Sequence, residues 1–196
     1  MKNISKSTNL TVKIAVLSAM ALLLTYFEFP ILPAFPFLKI DLGDIPALIG
    51  AFAFGPLVGI AIEALKNVLA ASIKSTTGGI GELANFLIAG SFIGSASFFY
   101  IKNKTRKTAI ISLSFSVIVM IVVGILANYF ILIPLYSKFM PINVPYYLVY
   151  AVIPFNLIKG IIISVVTMLI YKRVSVLIHA ESLNSKTFRK KEKSAQ

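Results

Sequence analysis

Glu63, Lys66 and Asn67 follow i, i+3, i+4 spacing inside a long apolar segment, so on a helix they share one face. Asn156 and Lys159 repeat the i, i+3 spacing in a second apolar segment. Asn85 and Asn128 stand singly in two more. An ionisable side chain at the centre of a membrane helix costs roughly 2.5–3.5 kcal/mol on insertion scales, so such residues face a partner or a cavity. Two readings compete for each residue. Glu63 and Lys66 form a structural pair or join a site, and each Asn bonds a neighbouring helix or meets a solute. Amides with one cation suit a polar, planar, uncharged molecule. Amides match donors and acceptors on a heterocycle edge, while Phe and Tyr stack on its face. The set has neither the carboxylate ladder of a proton pump nor the repeated filter of a channel.

The elements that must position these side chains are membrane helices. Of 196 residues, 58% are hydrophobic and 13% charged, and mean hydropathy is +0.89. A soluble domain carries roughly a quarter charged residues. Several stretches reach the roughly 20 apolar residues that a crossing needs. Spans are predicted near 12–29, 83–101, 108–133 and 146–171, and the stretch 45–73 admits one crossing or two.

Charge decides between the two counts. With one crossing, the N-terminal lysines (Lys2, Lys6, Lys13) and the cluster Lys102, Lys104, Arg106, Lys107 fall on opposite sides. With two crossings, and Gly55-Pro56 at the turn, both share a side with the basic tail from Lys172 onward. Lys39, Lys74 and Lys138 are then left opposite, and Lys66 and Lys159 lie within spans. The positive-inside rule selects the second arrangement. The predicted fold is an all-α integral membrane bundle of six helices with both termini cytoplasmic. Its second and third helices are short, and its pocket opens on the extracellular side. Gly-Pro suits the tight turn between them, and backbone left unpaired at that depth must be buried in protein or line a cavity. The domain reading is a cytoplasmic segment 1–11, a membrane domain 12–172, and a basic, disordered cytoplasmic tail 173–196.

The loop 30–44 lies outside in this topology, and Pro30, Pro33 and Pro36 stiffen it. Lys39 and Asp41 are expected to pair there, and Asp44 to cap the second helix with Pro46 in its first turn. Small residues form separate stripes: Ala15 with Ala19 on the first helix, and Gly90, Gly94 and Ser97 on the fourth. Such faces let helices approach closely, within the chain or, for Ala15 and Ala19, against a separate membrane protein. The net charge of +12 is read as topology rather than nucleic-acid binding. There is no cysteine, and the single histidine, His179, stands alone, so no metal site is expected. The first apolar segment is too long for a signal peptide and lacks a small-residue cleavage site, so it is read as the first helix.

With these residues in place the chain resembles the substrate-binding S-components of energy-coupling factor (ECF) vitamin transporters. The resemblance rests on Ala15-Val-Leu-Ser-Ala19 and on Lys39-Ile-Asp-Leu-Gly-Asp-Ile-Pro followed by Gly55-Pro56, and it covers roughly residues 12–172. Phe37-Leu-Lys-Ile-Asp, Glu63-Ala-Leu-Lys-Asn67, Gly81-Glu-Leu-Ala-Asn-Phe86 and Pro154-Phe-Asn-Leu-Ile-Lys159 are similar to the riboflavin-specific members. The resemblance implies riboflavin as transported ligand, with no cofactor. It implies a site drawn from Phe37, Leu38, Lys39, Asp41, Glu63, Lys66, Asn67, Asn85, Asn128, Asn156 and Lys159. It also implies docking through Ala15 and Ala19 on a transmembrane coupling protein that carries two cytosolic ATPases. The chain has no GxxxxGK[ST] phosphate loop, so energy must come from those partners. The rivals are an S-component for pantothenate or a folate-like vitamin, an integral-membrane enzyme, and a structural subunit. An enzyme would need a carboxylate or His-rich cluster at the cytoplasmic face, where Lys and Arg stand instead.

Overall fold

The computed structural model describes residues 2–36, 38–75, 78–136 and 143–170, with side chains from residue 8 onward. Among these residues there are six helices: α1 (Lys2–Leu24), α2 (Asp44–Phe54), α3 (Pro56–Ile73), α4 (Ile80–Tyr100), α5 (Arg106–Leu135) and α6 (Val144–Ile170). Two short strands, β1 (Phe29–Pro30) and β2 (Lys39–Ile40), pair antiparallel across the loop between α1 and α2. By length and composition α3, α4, α5 and α6 are each able to cross a membrane. The apolar part of α1, Thr8–Leu24, and α2 are shorter. The expected helix over 12–29 therefore stops early. Phe29 and Pro30 leave it to pair with Ile40 and Lys39, and Thr25 closes its end by donating from Oγ1 to the Leu22 carbonyl at 2.7 Å.

The break at Gly55-Pro56 is a helical hairpin. Gly55 adopts φ 110°, which favours glycine, and Pro56 opens α3, where no amide hydrogen is needed. From that turn α2 and α3 run back along each other. A Cβ on Gly59 would lie 2.3 Å from Ala51 Cβ and 2.9 Å from the Ala47 carbonyl oxygen, so only glycine permits so close an approach. Further along, Gly50 packs on Ile62, and Asp44 meets Lys66. The turn sits at the end of the bundle where Lys13 Nζ lies 5.5 Å from the Phe54 ring and Ile101 approaches Gly55. The exposed segment 102–107, which links α4 to the first turn of α5, lies at this same end, and Thr105 caps α5 by accepting from the Thr108 amide. Lys39 and Lys74 lie at the other end, joined through Glu28.

The core holds Leu48, Ala51 and Phe52 of α2, Ile62 of α3, Phe92 and Ile93 of α4, Met120 of α5 and Ile163 of α6. Phe52 stacks on Tyr100 with centroids 4.3 Å apart. Of the small-residue stripe on α4, Gly94 packs on Ile60 and Ser97 is buried, as internal packing requires. Apolar side chains such as Ile118, Val122, Val165 and Leu169 point outward, the pattern of helices solvated by lipid. Each of the last two helices contains one wide turn, Asn128–Leu132 in α5 and Leu148–Val152 in α6. Single π turns of this kind shift the register of the side chains beyond them and recur at functional sites.

Candidate ligand-binding site

The centre of the site is a buried chain of charges and amides. Asp44, the first residue of α2, has no exposed surface. Its Oδ1 accepts from Lys66 Nζ on α3, and its Oδ2 lies 3.0 Å from Lys159 Nζ on α6. Lys66 Nζ is also 2.6 Å from Glu63 Oε1, one turn back on its own helix. Asn67 Nδ2 donates to that oxygen at 2.7 Å. Asn85 on α4 closes the set: its Nδ2 donates to Asn67 Oδ1 at 3.1 Å, and its Oδ1 accepts from Lys159 Nζ at 2.7 Å. Four helices thus meet in one network. Its two carboxylates balance its two ammonium groups, the condition under which buried charge is tolerable.

Not all of its bonding capacity is used. Among the described residues, Glu63 Oε2 receives no hydrogen bond from the protein, and Asp44 Oδ2 meets only the Lys159 ammonium. Lys159 contacts Asp44 and Asn85 but carries three donors, so one can serve a solute. Asn85 by contrast is engaged through both its oxygen and its nitrogen inside the network.

A second polar group lies beside the wide turns. Asn128, where the α5 turn begins, donates to the Gly124 carbonyl at 2.8 Å and accepts from Tyr147 Oη at 3.0 Å. Asn156 donates to the Val152 carbonyl and packs on Gly124, where an added Cβ would come 2.7 Å from its Nδ2. Phe35 of the 30–44 loop packs edge-on against Tyr147 at 5.8 Å, and Leu38 joins the same apolar cluster. The two polar groups meet on α6, where Asn156 and Lys159 are one turn apart.

The mouth differs from expectation in two places. Lys39 pairs with Glu28 at 2.8 Å rather than with Asp41, because the β1–β2 pairing carries Lys39 towards Glu28. That bond from Lys39, helped by Lys74, holds the Glu28 carboxyl below the ordinary glutamate value. Asp41 instead accepts from the Gly43 amide at 2.7 Å, and its charge acts on Lys66 and Lys159. Asp44 does not cap α2 either. Gly43 holds the cap position without a side-chain bond, because two buried ammonium groups claim the Asp44 carboxylate. Phe37 lies outside the described residues. Ala15 and Ala19 are exposed on α1.

Asp44 and Tyr147 are the residues of this site that the sequence reading missed. A signal for Asp44 existed: two lysines within spans, Lys66 and Lys159, were matched there by Glu63 alone, which demands a second carboxylate. Nothing in the sequence separates Tyr147 from the neighbouring Tyr146 and Tyr150. Among the described residues no group of three or more acidic, His or Cys side chains is placed to hold a metal.

The fold and this network define an integral membrane helix bundle built around a buried polar centre. The family described as ECF transporter, substrate-specific component, matches residues 9–171, and the chain belongs to it. It is 38% identical over 169 residues to the riboflavin transporter RibU of Staphylococcus aureus (strain TCH60), covering 84% of this chain and 89% of that relative. Riboflavin transporter FmnP of Bacillus subtilis (strain 168) is 36% identical over 82% of this chain and 88% of its own length. A solved structure described as the S component of a bacterial ECF transporter superposes with a TM-score of 0.78 at 37% identity, covering 88% of this chain and 98% of that one. The chain is accordingly a multi-pass cell-membrane transport subunit and not an enzyme.

Proposed function

We propose that this chain captures riboflavin from outside the cell and delivers it inward as the S-component of an ECF importer. A transmembrane coupling protein and two cytosolic ATPases supply the energy. The observation that carries the reading is the match to riboflavin transporters over more than four fifths of the chain. The site is compatible with it. Riboflavin is flat and uncharged, with imide donors and acceptors along one ring edge and hydroxyls on its ribityl chain. The buried centre is neutral in sum and offers an acceptor at Glu63 and a donor at Lys159.

In this reading the membrane domain spans 12–172 and crosses six times, with both termini in the cytoplasm. The opposite placement of Lys74 and the 102–107 loop supports it, as does the shared end of Lys13, Gly55 and Ile101. The ring lies beneath the 30–44 loop, within reach of Leu38, Asn128, Asn156 and Lys159. Glu63, Lys66, Asn67 and Asn85 form the wall behind, and Lys39 and Asp41 stand at the entrance. The exposed Ala15–Ala19 face receives the coupling protein.

The test is mass spectrometry of the small molecule that survives purification, followed by quenching of flavin fluorescence on titration. A flavin is expected, and Lys159→Ala or Asn128→Ala should weaken binding by roughly 1–3 kcal/mol. A preparation that carries another vitamin and gains no thermal stability from riboflavin would replace the ligand while keeping the family.

A further inference from the structure

We propose that Asp44 is a positioning residue that aims the Lys159 ammonium at the ligand and, by cancelling its charge, tunes the site to an uncharged ring. The inference rests on the riboflavin reading and adds a residue that does not itself need to touch the vitamin.

A lysine carries its charge on a long flexible stem, so by itself it is a poor pointer. Lys159 is held at two places, 3.0 Å from Asp44 Oδ2 and 2.7 Å from Asn85 Oδ1. With two directions taken, the third N–H has one direction left. Asp44 can act as the fixed point because it is itself over-determined. Lys66 holds its other oxygen, and Glu63 holds Lys66. Its backbone is clamped too: a Cβ on Gly43, the residue before it, would lie 2.6 Å from Thr25 Cγ2 and 2.8 Å from the Ala21 carbonyl oxygen, so α2 starts pressed against α1.

The same contact sets the charge that a ligand meets. Asp44 and Asn85 touch Lys159; the charges of Asp41 and Lys66 also act on it, and Glu63 stands one link further through Lys66. With Asp44 ionised the four-charge centre sums to zero. Without it, two ammonium groups face one carboxylate, and Lys159 turns towards the ligand uncompensated. A flavin edge carries a weakly acidic imide N–H. A bare ammonium beside it stabilises the deprotonated ring, whereas a compensated one does not.

The test uses the full chain, purified ligand-free and loaded with riboflavin. Two quantities are read: affinity, by quenching of flavin fluorescence, and the pH at which the bound flavin's absorption shows imide deprotonation. Asp44→Asn is expected to bind about tenfold or more weakly and to lower the imide midpoint by about one pH unit. Asp44→Glu restores the charge but moves it by one methylene, so its midpoint should match the parent while its affinity stays reduced. Should Asp44→Asn fail to fold, Asp44→Asn with Lys66→Met is read in its place. That pair keeps a neutral sum but leaves Lys159 without its carboxylate, so the midpoint still falls. Parent-like affinity in the Asn variant overturns the inference. So does a weakened variant whose imide midpoint is unchanged, because that is a purely structural role. Failure of the unmodified protein to bind riboflavin sinks the ligand assignment instead, and is visible before any variant is made.

Discussion

Replacing Lys66 by Met probes the centre of the bundle most directly. Met keeps most of the stem and removes the ammonium, so the change is one of charge more than of volume. Lys66 is 1% exposed and meets two carboxylates, Glu63 at 2.6 Å and Asp44. Without it the centre carries two carboxylates against Lys159 alone, and Glu63 keeps only amide donors from Asn67 and Asn85. Removing one partner of a buried pair costs about 3–5 kcal/mol, because the remaining charge stays buried without compensation. For a chain of this length each kcal/mol moves the melting temperature by about 2–4 °C, so a fall of about 6–20 °C is expected. The assay is thermal unfolding of the ligand-free protein in detergent. The companion variant Glu63→Gln with Lys66→Met removes both charges of that pair and leaves Asp44 facing Lys159. It should recover more than half of the loss, as charge balance demands and a simple packing defect would not. A single variant melting within about 1 °C of the parent, or a double no better than the single, would refute the balance argument.

Three further outcomes follow from the geometry. Tyr147→Phe removes the donor that meets Asn128 Oδ1 at 3.0 Å; a buried acceptor left unpaired should cost about 1 kcal/mol, roughly a fivefold loss in riboflavin affinity by fluorescence titration. Gly124→Ala places a methyl 2.7 Å from Asn156 Nδ2 and should weaken binding, whereas Gly90→Ala, whose new methyl meets the Phe86 ring at an ordinary 3.7 Å, should bind as the parent does. At the entrance, Lys39 lowers the Glu28 carboxyl in the folded state. The stabilisation it gives is therefore complete above the ordinary glutamate range and lost as pH falls below that range towards the folded-state value. Protease cleavage within the 30–44 loop should rise on acidification of the parent, and Glu28→Gln should be cut readily at every pH.

What was legible in the sequence was what short-range rules govern. Gly55-Pro56 marks a turn because its dihedrals and missing amide hydrogen act within two residues, and the structure has a hairpin there. The i, i+3, i+4 face of Glu63, Lys66 and Asn67 is also local, and the three do interact. Asp44 was lost for the converse reason. Capping is the local use of an Asp at a helix start, while its actual partners are a lysine 22 residues away and another on the last helix. Lys39 was misassigned in the same manner: Asp41 is near in sequence, but the strand pairing brings Glu28, 11 residues away.

Ion-pair partners in this fold are chosen by which helices meet, and single-sequence spacing does not carry that information. One constraint does survive in the sequence, since a low-dielectric interior penalises unbalanced charge wherever the helices fall. Taken one by one, Glu63 and Lys66 close as a pair and Lys159 is left over as a cation aimed at the ligand. Taken as a set, a second carboxylate is required, and Asp44, at the head of the helix paired with α3, is the one whose helix can bring it there. Lys159 is then not a free cation awaiting a ligand but a compensated one, and that balance is what the proposed preference for a neutral solute rests on.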